Sequence, residues 1–171
     1  MRVNVIGEYR TLCGQGVVAR VAAETYSGAV AFARIGEGSL GGKARGLAFM
    51  NSMLMKHRQY DKHENVRIMI PRSVVIATEY FDEFIRRNGL QYIISQDFSD
   101  EEILSEFVTS TVPQRLQEEL KAYIRTVRTP LAVRSSSRLE DSHYQPFAGI
   151  YSTYMIPYTP NEDQMLRLLL R

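Results

Sequence analysis

Cysteine occurs once in the 171-residue sequence, at Cys13. A disulfide within the chain is therefore excluded, and so is a zinc cluster built from cysteines. A single thiol fits a reducing cytoplasm. No apolar run approaches the roughly 18 residues that a membrane helix needs. The first residues, Met1-Arg2-Val3-Asn4-Val5-Ile6-Gly7-Glu8, carry charge too soon to hold a signal-peptide core. The expectation is a cytoplasmic protein with no membrane partner. Charge of one sign is scarce as well: 21 Lys and Arg face 19 Asp and Glu, for a net charge of +2. Non-specific nucleic-acid binding draws on a concentrated basic stripe. Arg86-Arg87 sits among acids instead, so no nucleic-acid partner is expected. The histidines, His57, His63 and His143, show no metal-ligand spacing and support no Ser-His-Asp set. His57 falls on the apolar face of a helical pattern and reads as a packed residue.

What the chain does have is an ordinary globular composition, with 44% hydrophobic residues. Residues 1–33 show no clean period and read as a lead-in segment with some helix. After the glycine-rich stretch 36–42, the residues Leu47, Met50, Leu54 and His57 recur at helical spacing. Val66-Arg67-Ile68-Met69-Ile70 and Val74-Val75-Ile76 read as strand pieces, broken at Pro71. Thr78 is placed to cap a helix through Tyr80, Phe81, Phe84 and Ile85, which Asn88-Gly89 stops. Ser99 and Glu102 have the spacing of a capping box. Pro113 opens a helix whose buried stripe is Leu116, Leu120, Tyr123 and Ile124. Leu131-Ala132-Val133 and residues 150–156 read as strands, and Asn161 caps a last helix carrying Met165, Leu168 and Leu169. That helix reaches Arg171 without a closing glycine or cap, so either an incomplete domain or a frayed terminal helix is expected.

Two segments carry chemistry. In the first, Gly36-Glu37-Gly38-Ser39-Leu40-Gly41-Gly42-Lys43, glycines lead into a helix start and a lysine. Free N–H groups and the helix dipole there favour an anion, and lysine adds a full charge. A Walker A loop is not matched, because Glu37 and Ala44 stand where Gly and Ser or Thr are required. The dinucleotide fingerprint is matched by letter through Gly41. The following strand, however, ends in Ile70-Pro71-Arg72 rather than in a ribose-binding acid. A surface glycine loop without a ligand remains open. In the second segment, Val133-Arg134-Ser135-Ser136-Ser137-Arg138-Leu139-Glu140-Asp141, a strand delivers an arginine fork and hydroxyl donors suited to phosphate oxygens. A polar turn with arginine paired to Glu140 or Asp141 is the alternative.

Taken in order, these segments resemble the ATP-binding domain of phosphoenolpyruvate synthases and pyruvate phosphate dikinases. Gly41-Gly42-Lys43-Ala44-Arg45-Gly46-Leu47 resembles its Gly-Gly-Lys start, and Ile70-Pro71-Arg72-Ser73-Val74-Val75-Ile76-Ala77-Thr78 its next segment. The stretch 130–141 resembles its Val-Arg-Ser-Ser block, and Phe147-Ala148-Gly149 its Phe-Ala-Gly turn. The resemblance implies an α+β fold: the N-terminal lobe of an ATP-grasp-like domain, with a small, mainly antiparallel sheet and flanking helices. It implies that residues 34–171 are the first part of that domain, incomplete at the C-terminus.

The resemblance further implies that Lys43 and Arg134 are catalytic, binding ATP phosphates and stabilising charge in transfer. Gly41, Gly42, Thr78, Ser135 and Arg138 join them in holding ATP. Magnesium is implied as well, its carboxylate ligands expected in a second lobe beyond these residues. In the family, ATP phosphorylates a histidine on a swivelling domain, and a pyruvate-binding domain then makes phosphoenolpyruvate. Both domains are expected partners in a parent protein. Exposed apolar surface on a lone lobe makes homo-oligomers a further expectation. Little or no ATP binding and no turnover are expected of this chain alone. There are departures from the pattern. Arg72-Ser73 replaces a Gly-Phe region, and Ile150 and Ser152 stand where many members have Gln and an acid. A divergent dikinase with another acceptor, a non-catalytic nucleotide sensor and an interaction module all remain open.

Overall fold

The computed structural model describes residues 19–21, 32–57, 65–66, 68–137 and 151–170. Ala19–Arg20 forms strand β1 and Phe32–Ile35 strand β2. Phe32, Ala33 and Ile35 are all buried, so β2 has cover on both faces. A strand of that kind carries a continuous apolar run rather than an alternation. This is why the stretch before the glycines shows no period. Its polar member, Arg34, is half-buried and ends on Glu37 at 2.8 Å. Strand β2 spans position 33/34, where the lead-in was expected to give way to the domain, and the described residues before it are extended.

Helix α1, Gly41–Lys56, follows, and then strand β3, Ser73–Ile76. Both β1 and β3 run parallel to β2, in the order β1-β2-β3, with Phe32 opposite Ser73 and Ile35 opposite Ile76. Parallel neighbours need a crossover, and α1 lies in that connection. The expected strand at 66–70 does not form. Val66, Ile68 and Met69 are exposed and outside any strand, and pairing starts at Ser73. Pro71 has no N–H to donate to a ladder, so the pairing begins only after it. Nor is the expected stripe of α1 buried. Its buried residues are Ala44 and Ser52, while Met50 stands 52% exposed. Leu47 and Leu54 are half-buried, and Phe49, Met50, Met53 and Met55 are exposed.

Helix α2, Thr78–Arg87, stops at Asn88 and Gly89 as the sequence predicts, with Gly89 at φ 67°. A 3-10 turn at Leu90–Ile94 then buries Leu90. Helix α3, Asp100–Thr109, opens on the predicted capping box: Glu102 N–H donates to Ser99 Oγ, and Ser99 N–H donates to Glu102 Oε2. Helix α4, Gln114–Ile124, buries all four residues of its expected stripe. Strands β4, Leu131–Arg134, and β5, Thr153–Ile156, pair antiparallel. Helix α5, Glu162–Leu169, is capped by Asn161, whose side chain accepts from Gln164 N–H at 2.9 Å.

One core joins these elements. Val21, Ala33 and Ile35 meet Tyr80 from α2 and Leu116, Leu120, Tyr123 and Val127 from α4 and its end. Leu131, Leu166 and Leu170 pack onto its margin. The fold class is α+β, as expected. Pairing direction divides between the sheets: the three-stranded sheet is parallel, and among the described residues only β4 and β5 show the antiparallel pairing expected of most strands.

Candidate functional site

The loop between β2 and α1 is fastened to the segment that starts α2. Ala77 N–H donates to Ile35 O at 2.9 Å. Ser39 and Thr78 then exchange two bonds, Ser39 N–H to Thr78 Oγ1 at 3.1 Å and Thr78 N–H to Ser39 O at 3.0 Å. Thr78 was expected to cap α2. The N-cap position belongs to Ala77 instead, and the Thr78 hydroxyl accepts from the loop because it sits one residue inside the helix. Gly36 adopts φ 81°, a region that costs an L-residue about 1 kcal/mol or more. A Cβ there would fall 2.6 Å from Tyr80 Cε2, closer than any side chain could stand.

Helix α1 begins with Gly41, Gly42 and Lys43, all half-buried. Its N-cap, Leu40, makes no side-chain bond to the open amides, Ser39 Oγ accepts from Gly41 N–H at 3.4 Å, and no acid occupies the first turn. Those two absences leave the positive end of a long helix without a built-in counter-charge. Gly41 has φ 75°, and a Cβ at this position would lie 2.9 Å from Ser136 Oγ. The start of α1 and the polar run after β4 are therefore in contact. Lys43 lies two positions beyond Gly41, and Arg134 two positions before Ser136.

Arg134 closes β4 opposite Thr153, and Arg134, Ser135 and Ser136 are exposed. An open concavity of about 460 Å³ is lined by Val133, Arg134, Ser135, Tyr151, Ser152 and Tyr154. Tyr151 donates to Ser137 Oγ at 2.9 Å, tying the approach to β5 to the same polar run. Of the expected site residues, Gly41, Gly42 and Lys43 open α1, Thr78 opens α2, and Arg134 and Ser135 lie at the end of β4. Arg138 and the Phe147-Ala148-Gly149 turn lie outside the described residues. His57 is half-buried at the C-terminal end of α1, where its N–H donates to Met53 O.

The sequence model of one family, described as the pyruvate phosphate dikinase AMP/ATP-binding domain, matches residues 37–170. The chain belongs to that family. The match covers both contacting segments, so the start of α1 and the Arg134 run lie within an AMP/ATP-binding domain. No curated protein matches the chain, and no solved structure does. Among the described residues, no group of three or more His, Cys, Asp and Glu side chains could hold a metal ion. No described helix is long and apolar enough to cross a membrane.

The sequence reading missed a polar cluster below the dikinase-family loop. Tyr80 donates to Glu119 Oε2 at 2.8 Å, and both residues are buried. Burial, first, and then the Glu119 carboxylate push the Tyr80 phenol far above its usual range. A signal was present in the sequence. Glu119 follows Leu116 by three positions and directly precedes Leu120, so an acid falls on the apolar stripe of its helix.

Proposed function

We propose that this chain supplies the phosphate-holding wall of an ATP site in a phosphotransferase. The observation that carries the reading is the contact of Gly41 with Ser136, which joins the lysine-bearing helix start to the arginine-bearing strand end. In this reading the amide of Gly42 donates to a phosphate oxygen, Gly41, whose N–H donates to Ser39 Oγ, lets the backbone approach the phosphates closely, and Lys43 contributes a positive charge. Arg134 adds a planar fork, and Ser135 a neutral donor. Such groups act by positioning and by stabilising charge as it shifts between oxygens. Thr78 serves the site by holding Ser39. Magnesium, in this reading, rides on the nucleotide, as is usual for a cation that keeps most of its ligands as water and phosphate.

The acceptor we propose is a histidine of a swivelling domain in a parent protein, with pyruvate phosphorylated afterwards. Phe49, Met50 and Met53 stand exposed along α1, which supports an association surface for another domain or a second copy. The test is titration of the isotope-labelled chain with magnesium ATP and with AMP, followed by amide shifts. Shifts at Gly41, Gly42, Lys43 and Ser135 are expected, and Lys43→Ala should weaken them about tenfold, the scale of one charge-assisted contact. No shifts at millimolar nucleotide either in this chain or in one extended by about another domain's length would overturn the reading. Binding without histidine phosphorylation in the parent protein would turn it towards a nucleotide sensor.

A further inference from the structure

Four side chains from two helices form a polar cluster directly beneath the glycine loop. Tyr80 and Glu79 come from α2, Arg115 and Glu119 from α4. Tyr80 is 1% exposed and Glu119 5%. The Arg115 guanidinium lies 5.6 Å from the centre of the Tyr80 ring. It also reaches Glu119 Oε1 at 3.6 Å and Glu79 Oε1 at 3.7 Å. Glu79 Oε1 is itself buried and accepts no hydrogen bond, so the guanidinium supplies its counter-charge. A phenylalanine and a leucine at 80 and 119 would fill the same core without polar atoms. A hydrogen-bonded, cation-covered ring differs from such a pair in one respect: its position and rotation are fixed.

What that ring touches is the loop. The virtual Cβ of Gly36 lies 2.6 Å from Tyr80 Cε2, 2.8 Å from Cδ2 and 2.9 Å from Glu79 Oε1. The bare backbone of Gly36 thus rests on the ring edge. From there the chain runs through Ser39, bound to Thr78, into Gly41 at the start of α1. We propose that Tyr80 is a positioning residue for the anion loop: Glu119 and Arg115 hold the ring, and the ring holds Gly36. The loop consequently delivers the first amides of α1 in one geometry. The purpose of that delivery rests on the nucleotide reading above, whereas the support itself rests on the contacts alone.

The experiment uses the labelled chain in two measurements. The first is amide hydrogen exchange at Ser39 and Thr78, whose N–H groups bond across the loop. Tyr80→Leu removes the ring and should speed both about tenfold beyond a control of equal thermal midpoint, a signature of local opening. Met165→Ala, in the buried contact of α5, is that control. Tyr80→Phe keeps the ring under Arg115 but loses the Glu119 bond, and should give exchange between that of the unmodified chain and that of Tyr80→Leu. Equal exchange in Tyr80→Leu and Met165→Ala would overturn the proposal. Should Tyr80→Leu fail to fold, Gly36→Ala attacks the same contact from the loop side. Fast Ser39 and Thr78 amides with unchanged α4 amides are then expected, and slow ones overturn it. The second measurement repeats the magnesium ATP titration. Weaker binding by Tyr80→Leu than by Tyr80→Phe is expected, and equal binding overturns the proposal. No binding either by the unmodified chain or by one extended by about another domain's length, with the exchange pattern intact, would sink the nucleotide reading and leave the loop support standing.

Discussion

Gly41 and Tyr80 show how single residues fix the local geometry of the candidate site. At Gly41 two demands coincide, a positive φ and no room beside Ser136. Gly41→Ala should therefore strain the backbone by about 1 kcal/mol and push the serine run away from α1. The expected result is a drop in nucleotide affinity larger than the loss in thermal midpoint, measured on the same sample. At Tyr80 the phenol is held protonated, chiefly by burial. A raised folded pKa contributes stability that is present below the ordinary tyrosine value and fades as pH rises above it. Chemical denaturation between about pH 9 and pH 11 should thus show falling stability, with a shallower fall in Tyr80→Phe. Equal slopes would place the alkaline loss elsewhere.

Helices and strands differed in how readily their own sequence declared them. The capping box of α3 was legible because its two partners are three residues apart and need nothing else from the fold. Ser99→Ala should cost about 1 kcal/mol of stability by thermal melting. The Ser99 bonds also hold the Glu102 carboxyl below its usual range. That contribution is present above the ordinary glutamate value and is lost as pH falls through the lowered one. The stripe of α4 was legible for a similar reason, since Leu116, Leu120 and Tyr123 fall on one face of a single helix. Strand β2 was not legible, because its cover comes from β1, β3 and α4, all distant in sequence. Strand direction was hidden as well, since neither β1 nor β3 records in its own residues which way its neighbour runs. In the site, Lys43 and Arg134 stood out by residue type and neighbours. The roles of Thr78 and Glu119 depended on loop and helix meeting in space.

Across the whole molecule, α4 is the common member, touching the sheet on one side and α5 on the other. Leu120→Ala should cost about 2–5 kcal/mol, because the cavity opens in the one core all these elements share. Helix α5 is held to α4 at its N-terminal end too, by Lys121 to Asp163 at 2.6 Å and Arg125 to Glu162 at 3.0 Å. Lys121 holds the Asp163 carboxyl below its usual range, so that tie weakens as pH falls. Asp163→Asn should flatten the acid limb of the stability profile. On its α2 side the loop that enters α1 meets Ala77, Thr78, Glu79 and Tyr80, four consecutive residues. Inserting or deleting a single residue between Ser73 and Ala77 would therefore misalign every one of those contacts at once. A change of chain length in the turn after Gly89 would leave them all in register.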